Sequence, residues 1–414
     1  MIRPLMVGLG ICLVLDSATG SGRLSGQMMQ GSRAVPGGRE AMSARGTPAL
    51  RSYLEEMREG PAGMNRVLHR ITIRPGARSY SVENADVSEA LGLLTYSMRR
   101  PGLRLQVSGG PLRFTSDDTL SISGVSSLQA SLELDFSPRD SLRVALRAPS
   151  RPASLSASRV DALASLGTAT VDLWSIEFGT PAGLSVQFTH AQPLGGLTLS
   201  TTLGGDAEPR PGGTGSIYWR GTTARAGARI SGDAGPMRVE LGMDVSRSFA
   251  DSLSGRNLFQ GGGEVLARVN AAGFLSDASE TLIDLSAFYF RPYSTDRQSV
   301  AGLRAPVGDL AGASALVVWP LGDLFLVPVL RLSRESGEAT SGVSTITRDA
   351  WSLGASLALD VPLGPRMTMT PELGYAHGSL RSELSASSAG GAARFETSDD
   401  LAGWWAAADF SVVF

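Results

Sequence analysis

The sequence predicts an all-β fold: an antiparallel transmembrane β-barrel of about 14 strands, within a range of 12–16. Three observations predict it. The last residues, 401–414, alternate between an apolar face and a mixed face. Earlier segments alternate in the same way over about ten residues, the length that a tilted strand needs to cross a bilayer. Long and short connectors also alternate along the second half of the chain, which is typical of such barrels.

The final strand carries the strongest single pattern. Its apolar face consists of every second residue, from Ala402 through Trp404 to Phe414. A last strand that ends in an aromatic residue resembles the closing strand of Gram-negative outer-membrane β-barrels. The resemblance implies that Phe410, Val412 and Phe414 belong to the segment that the barrel-assembly machinery reads during insertion. By itself this stretch also fits an edge strand of a soluble β-sandwich.

The N-terminus predicts export. Arg3 precedes the apolar run Leu5–Leu15, and small residues end at Gly20, so residues 1–20 form a predicted cleaved signal peptide. No later apolar run approaches ~18 residues, so a membrane helix is not expected. The single cysteine, Cys12, lies in the signal, and the mature chain therefore has no disulfide.

Overall charge excludes one class of partner. Lys+Arg number 37 against 39 Asp+Glu, every basic residue is an arginine, and no basic cluster occurs. Binding to nucleic acid is therefore not expected. The expected partners are outer-membrane lipids and, during insertion, the barrel-assembly machinery.

Residues 21–63 are rich in Gly, Ser, Pro and Arg, and they predict a flexible lead-in. They contain one short helical candidate, Pro48–Gly60, with Leu50, Leu54 and Met57 on one side. The alternative is that this segment folds into the barrel as a plug.

Residues 64–127 permit two interpretations. They form either a small periplasmic or plugging segment, with Ala85–Met98 as a helix, or the first hairpin of the barrel. In the second case Val87–Ser97 and Leu103–Phe114 are strands, and the total rises to sixteen.

Residues 128–414 are predicted to form the barrel. The fourteen expected strands are Leu128–Phe136, Leu142–Arg147, Thr170–Phe178, Leu184–His190, Leu197–Leu203, Ser216–Ile230, Met237–Val245, Val265–Gly273, Leu282–Phe290, Ala313–Trp319, Leu324–Leu332, Trp351–Val361, Met367–Ala376 and Leu401–Phe414.

Charged side chains on the polar faces must point into the barrel, because lipid contact is too costly for them. They include nine acidic and eight basic residues, a mixture that does not create a field of one sign. These charges either line a polar pathway or pair with one another and fill the interior. The predicted pore-lining residues are Arg225, Arg229, Arg238, Glu240, Asp244, Glu264, Arg268, Asp360 and Glu372.

Enzymatic chemistry is not expected. With three histidines and no cysteine after the signal, neither a metal site nor a cofactor is predicted. One pair, His377 and Ser379, resembles the His-x-Ser pair on the exterior of outer-membrane phospholipases and lipid A deacylases. No Asn follows Asn270 to orient the imidazole, and Glu383 or Glu396 would have to serve instead.

The predicted strand number and N-terminal segment resemble the fatty-acid and hydrocarbon transport barrels. The resemblance is architectural, covers residues 128–414 and includes no specific motif. It implies passive or gated passage of an unidentified small molecule across the outer membrane. The alternative is a barrel with a filled lumen that acts as an anchor or as a surface-binding protein.

Overall fold

A computed structural model describes residues 67–82, 85–116, 120–125, 128–148, 182–207, 218–219, 222–249, 251–253, 256–259, 263–275, 280–292, 307–341, 344–388 and 391–414. All regular elements among them are strands. In chain order they are β1 (Leu68–Val82), β2 (Ala85–Arg100), β3 (Leu103–Gly109), β4 (Pro111–Ser116), β5 (Leu120–Val125), β6 (Gln129–Asp135), β7 (Asp140–Arg147), β8 (Gly183–Leu194), β9 (Leu197–Ala207), β10 (Tyr218–Trp219), β11 (Thr223–Ala234), β12 (Met237–Ser248), β13 (Asp251–Leu253), β14 (Arg256–Phe259), β15 (Gly263–Phe274), β16 (Leu282–Pro292), β17 (Val307–Leu321), β18 (Leu324–Ser341), β19 (Ser344–Gly364), β20 (Met367–Ser388) and β21 (Gly391–Val413).

Sixteen strands form a closed antiparallel ring, in the order β1, β2, β3, β6, β7, β8, β9, β11, β12, β15, β16, β17, β18, β19, β20 and β21. The hairpin of β4 and β5 stands outside this ring and pairs with β2 beyond β3. Strands β10, β13 and β14 form a separate small sheet.

The ring closes where β1 pairs with β21, from Arg70 opposite Val413 to Ser81 opposite Ala402. Backbone hydrogen bonds of 2.9 and 3.1 Å also join His69 to Phe414. On the outside of this seam the two rings stack with centroids 5.5 Å apart, and the Tyr96 hydroxyl lies 2.9 Å from Nδ1 of His69. The aromatic C-terminus is therefore fixed to the first strand of the barrel.

The predicted number of about 14 strands is wrong, because β1, β2 and β3 are also part of the wall. The alternation of β1 is hard to see in the sequence because Pro75 and Gly76 interrupt it. The alternation of β2 is hard to see because Leu91 and Leu94 are both apolar although they face opposite sides of the wall. Of the fourteen expected strands, Thr170–Phe178 lies outside the described residues. The predicted signal peptide and the lead-in at 21–63 also lie outside them.

The outer face of the wall is apolar across a band that fits a bilayer. Leu203, Leu357 and Leu373 project outward and are exposed. Aromatic side chains mark both edges of the band, with Trp319 at one and Trp351 at the other. Such a band between aromatic girdles is the surface of a barrel embedded in lipid.

The two ends of the barrel differ in their longest connectors. At one end residues 148–182 follow β7 and residues 293–306 follow β16, although β1 and β2, β18 and β19, and β20 and β21 are joined there by only two residues. At the other end two residues join β8 to β9, β11 to β12, β17 to β18, and β19 to β20. We call this the turn end; it also holds Leu68 and Phe414. At the opposite loop end, β18 to β21 reach 18–23 residues, whereas β8 and β9 have 12 and 11. One side of the wall therefore rises above the apolar band.

Outward side chains on this tall side become charged above Trp351. Arg381 contacts Glu396 at 2.5 Å, and Arg394 contacts Glu383 at 2.7 Å. Arg334 bonds both oxygens of Asp349, and this hydrogen bonding raises the pKa of the Arg334 guanidinium. Charges that would be unfavourable in lipid place this part of the sheet in water.

None of the described residues belongs to a helix that is long and apolar enough to cross a membrane.

Trp405 shows how the wall accommodates a large inward side chain. Its neighbour Trp404 points outward and is 48% exposed, whereas Trp405 points inward and is 8% exposed. The indole lies over Gly374 of the adjacent strand, where any side chain would collide with it. A bare glycine is therefore required beneath the ring.

Gly374→Ala should destabilise the barrel by about 1–3 kcal/mol, because the new methyl group displaces the Trp405 ring. The matched control is Gly364→Ala, a position where nothing lies within 4 Å of the added carbon. The measurement is the temperature at which the folded band disappears in a heat-modifiable gel. Equal midpoints for both variants would show that the indole has room to move.

Candidate functional site in the barrel lumen

All nine predicted pore-lining residues lie on the inner face of the wall. Seven belong to β11, β12 and β15, and the other two, Asp360 and Glu372, belong to β19 and β20. Each has the parity opposite to that of its exposed, lipid-facing neighbours, such as Leu241, Val269 and Leu373. Whether they line an open pore stays a prediction.

We call these seven residues, together with Asp206, the mid-wall charge group, and several of its members are joined across strands. Arg225 forms an ion pair with Asp206 of β9, and Arg268 forms one with Asp244. Ser246 donates to Glu264 at 3.0 Å. Cations and carboxylates are therefore interspersed over this part of the wall.

Glycine at position 242 lets two arginines approach each other in this group. A carbon added at Gly242 would lie 3.1 Å from Cγ of both Arg229 and Arg268, which flank it on neighbouring strands. The aliphatic parts of both arginines thus pack over the backbone of Gly242, where there is no side chain. On the same strand as Gly242, Arg238 donates a hydrogen bond of 2.6 Å to Ser231.

A second group lies at the seam and contains Arg74, Glu372, Asp409 and Trp405; we call it the seam cluster. Arg74 of β1 lies 3.1 Å from Glu372 and 3.7 Å from Asp409. Trp405 donates its indole N–H to the other oxygen of Glu372 at 3.2 Å. Three strands, β1, β20 and β21, are therefore linked by one set of inward side chains.

The seam cluster lies where the backbone ladder is interrupted. Pairing of β1 with β21 passes from Ile73 opposite Phe410 directly to Gly76 opposite Ala407. The interruption falls at Pro75, which has no backbone N–H to donate. The ion pair between Arg74 and Asp409 bridges this gap in the ladder.

Two other ladders are interrupted at a proline in the same way. Pairing of β19 with β20 skips the positions around Pro371, where Thr370 donates to Asp360 at 2.9 Å. Pairing of β17 with β18 skips those around Pro328, where Val318 and Val327 pack together. Inward side chains thus connect the strands at each of these three prolines.

Sequence reasoning missed Arg74 and assigned no role to Trp405. The sequence does contain a pattern that indicates an inward Arg74: Arg70, Arg74 and Arg78 share one face of β1, and Ile71 and Ile73 share the other.

The inner face also carries apolar side chains on β15 to β19. At the turn end they form a cluster, which we call the turn-end patch: Leu282, Val318, Val327, Val329 and Ala358, with Phe274, Leu316 and Phe325 packed against them. A smaller cluster nearer the loop end contains Leu266, Phe290 and Leu310. Apolar clusters on the inner face are therefore confined to β15 to β19, where they lie among charged residues such as Asp284, Glu335 and Asp360.

His377 and Ser379 lie on the outer face, as predicted, but no catalytic arrangement surrounds them. The His377 ring makes an edge-to-face contact with Trp351, at 5.8 Å between centroids. The two proposed acidic partners, Glu383 and Glu396, are engaged by arginines. A hydrolytic triad is therefore not assembled by the described residues.

His190 lies beside a turn on the outer face. Its Nδ1 is 2.7 Å from Asp140, and the Ser137 hydroxyl donates to the same carboxylate at 2.7 Å. The Ser137 hydroxyl, followed by His190, lowers the pKa of Asp140. Across the part of the chain that the structure describes, no three His, Cys, Asp or Glu side chains are grouped to hold a metal ion.

Neither a protein-family model nor a curated protein matches this sequence. Among solved structures, OccK1 (OpdK) of Pseudomonas aeruginosa is similar, with a TM-score of 0.44 and 10% identity over 84% of this chain and 99% of that one. A loop-deletion mutant of OmpT of Vibrio cholerae has a TM-score of 0.42 and 10% identity, over 84% and 99%. OccAB4 of Acinetobacter baumannii has a TM-score of 0.41 and 7% identity, over 86% and 100%.

OmpT and OpdK are named as outer-membrane proteins. At these identities and TM-scores the likeness does not indicate what this protein carries. The predicted resemblance to fatty-acid and hydrocarbon transport barrels stays a prediction.

Arg74→Ala should weaken closure of the ring, because Glu372 and Asp409 would keep their charges in the wall without their cation. Breaking a buried pair costs about 3–5 kcal/mol, and we expect about 2–3 because the Arg74 side chain is 21% exposed. Urea unfolding of the refolded protein, followed by tryptophan fluorescence, measures the change.

The control for this experiment is Arg334→Ala, which removes an exposed pair of the tall side and should leave the unfolding midpoint unchanged. An Arg74→Ala midpoint equal to that of the control would show that backbone pairing alone closes the barrel.

Proposed function

We propose that this protein is an outer-membrane channel through which small solutes diffuse. The observation that carries the proposal is the closed ring of sixteen strands, polar inside and apolar outside. A ring of that size encloses more space than the side chains of its own wall can fill, so it leaves an aqueous channel. Neither the solute nor any gating step follows from this geometry.

The connectors support an orientation. Short turns of outer-membrane barrels face the periplasm and longer loops face the exterior. The turn end, with Leu68 and Phe414, is then periplasmic, as an exported chain requires. Insertion through a segment containing Phe410, Val412 and Phe414 belongs to this proposal, and their side chains share the outward parity of the final strand.

The inward charges support weak ion selectivity. The nine predicted pore-lining residues comprise four arginines and five carboxylates, and the structure pairs several of them across strands. Paired charges of opposite sign cancel at distances beyond the pair, so no strong field of one sign extends into the lumen.

A filled barrel is the second candidate, and burial of some inward side chains favours it. Val327 and Asp360 are 0% exposed, although both point away from lipid. Some of this cover comes from neighbours in the wall: Phe325 packs against the cluster that contains Val327, and Thr370 donates a hydrogen bond to Asp360. A channel and a filled anchor differ in whether ions pass.

The refolded mature protein should conduct ohmically in planar bilayers, once a heat-modifiable gel shows that the barrel is closed. Under a tenfold KCl gradient an ideally selective pore gives about 59 mV. We expect a reversal potential within about 10 mV of zero, because the inner charges are balanced. A folded barrel without conductance would remove the open channel and favour the filled one.

Two substitutions in the mid-wall charge group should shift this potential in opposite directions. Arg268→Ala leaves Asp244 without its cation and should favour cations, whereas Asp244→Asn should favour anions. Arg334→Ala, on the outer face, is the control and should leave the potential unchanged. Reversal potentials equal to that of the control in both variants would show that these side chains do not face the conduction path.

A further inference from the structure

One stretch of the inner wall carries more arginines than carboxylates. Strands β1, β2, β3 and β7 each contribute inward arginines in the half of the wall nearer the turn end, and we call these five the arginine group: Arg70, Arg99, Arg104, Arg143 and Arg147. Among the described residues of β1 to β7, two inward carboxylates share this half of the wall, Glu133 and Asp135. Five positive charges against two negative ones leave a net charge of +3.

The other inward carboxylate of these strands does not reduce this excess. Glu89 of β2 lies directly opposite Arg78 of β1, nearer the loop end. That pair balances itself. The surplus of positive charge therefore belongs to the turn-end half of β1 to β7.

The strand register places two members of the arginine group side by side. Arg99 of β2 is directly opposite Arg104 of β3. Such neighbours have Cβ atoms about 5 Å apart, and like charges in this arrangement are unfavourable. Arg70 of β1 is diagonal to Arg99, because it is directly opposite Ser97. Three arginines are therefore crowded on three neighbouring strands.

Glu133 balances only part of this charge. It lies 3.4 Å from Arg104, and it is directly opposite Arg143 on its other side. One carboxylate thus stands between two arginines, and Arg99 is on the far side of Arg104 from it. An anion held between Arg99 and Arg104 would relieve their mutual repulsion.

The arginine group is accessible from the lumen. All five of its members are partly exposed, and the side chain of Arg104 is 18% exposed. The neighbouring inward positions carry uncharged hydrogen-bonding groups, including Ser97, Gln106 and Gln187. A hydrophilic solute can therefore approach these guanidinium groups without crossing an apolar surface.

Guanidinium chemistry defines the kind of ligand. An arginine binds a carboxylate or a phosphate through two parallel N–H···O hydrogen bonds, a geometry that a spherical ion such as chloride cannot use. Two adjacent arginines with a third beside them offer several such donors. The excess of positive charge favours an anion with more than one negative charge.

We propose that Arg70, Arg99 and Arg104 bind the phosphate or carboxylate groups of anionic solutes at the turn-end mouth of the lumen. The inference rests on the proposed channel function and names a class of solute for it. The site acts locally, because carboxylates elsewhere on the inner wall, such as Asp284 and Asp409, offset its charge over the whole lumen. Weak selectivity among small monovalent ions is therefore compatible with it.

Isothermal titration calorimetry of the refolded barrel in detergent micelles tests the site. Inorganic phosphate and succinate, titrated separately, represent the two kinds of oxyanion, and the tighter of the two identifies the chemical group that the site prefers. Arg99→Gln should weaken binding of that probe about tenfold or more, because it removes charge-assisted hydrogen bonds. The matched control is Arg334→Gln on the outer face, which should leave the affinity unchanged.

Urea unfolding of the same variants distinguishes a binding residue from a structural one. Arg99→Gln removes one member of a repulsive pair, so the unfolding midpoint should stay equal or rise while affinity falls. A lower midpoint would contradict the repulsion on which the site is based. Failure of the unsubstituted barrel to bind either probe, or equal affinities in Arg99→Gln and Arg334→Gln, would overturn the proposal.

Binding is measured without conductance, so the two proposals fail separately. Oxyanion binding by a folded barrel that never conducts would support the site and reject the channel. Conductance without oxyanion binding would keep the channel and reject the site. Where both hold, the preferred probe should reduce the conductance of the unsubstituted protein more than that of Arg99→Gln.

Discussion

The antiparallel pairing of β1 with β21 is the constraint on which the rest of this structure depends. Without it the wall would be an open sheet with two long edges, and lipid offers no hydrogen bonds for edge backbone groups. Closure also gives the wall an inner and an outer face, so that alternate residues of every strand face the lumen and the surroundings of the barrel. The pairing is reinforced inside by Arg74 and outside by the stacking of His69 on Phe414.

Prolines explain why side chains must contribute to strand pairing, at the closing seam and elsewhere in the wall. A proline cannot donate to a ladder, and β1, β18 and β20 each carry one within the wall. At two of these positions a polar inward pair connects the strands, and at the third two valines do so. Charges that seem available to solutes therefore also hold the wall together, and substituting them tests stability as well as permeation.

The barrel is asymmetric around its circumference. Strands β18 to β21 rise well above the apolar band, and the turn-end patch lies on the same side of the ring at the opposite end. The mid-wall charge group occupies another sector, on β9 to β15. A solute in the lumen would therefore meet apolar clusters in one sector of the wall and charged pairs in another.

The sequence by itself determined the class of fold and the side to which most residues point, because a period of two needs only local alternation. The inward placement of Arg225, Arg268 and Glu372 follows from that rule. Only the tertiary structure decided the number of strands and the composition of the seam cluster. Arg74 and Glu372 are 298 residues apart. Their contact arises solely from closure of the ring, which no local pattern encodes.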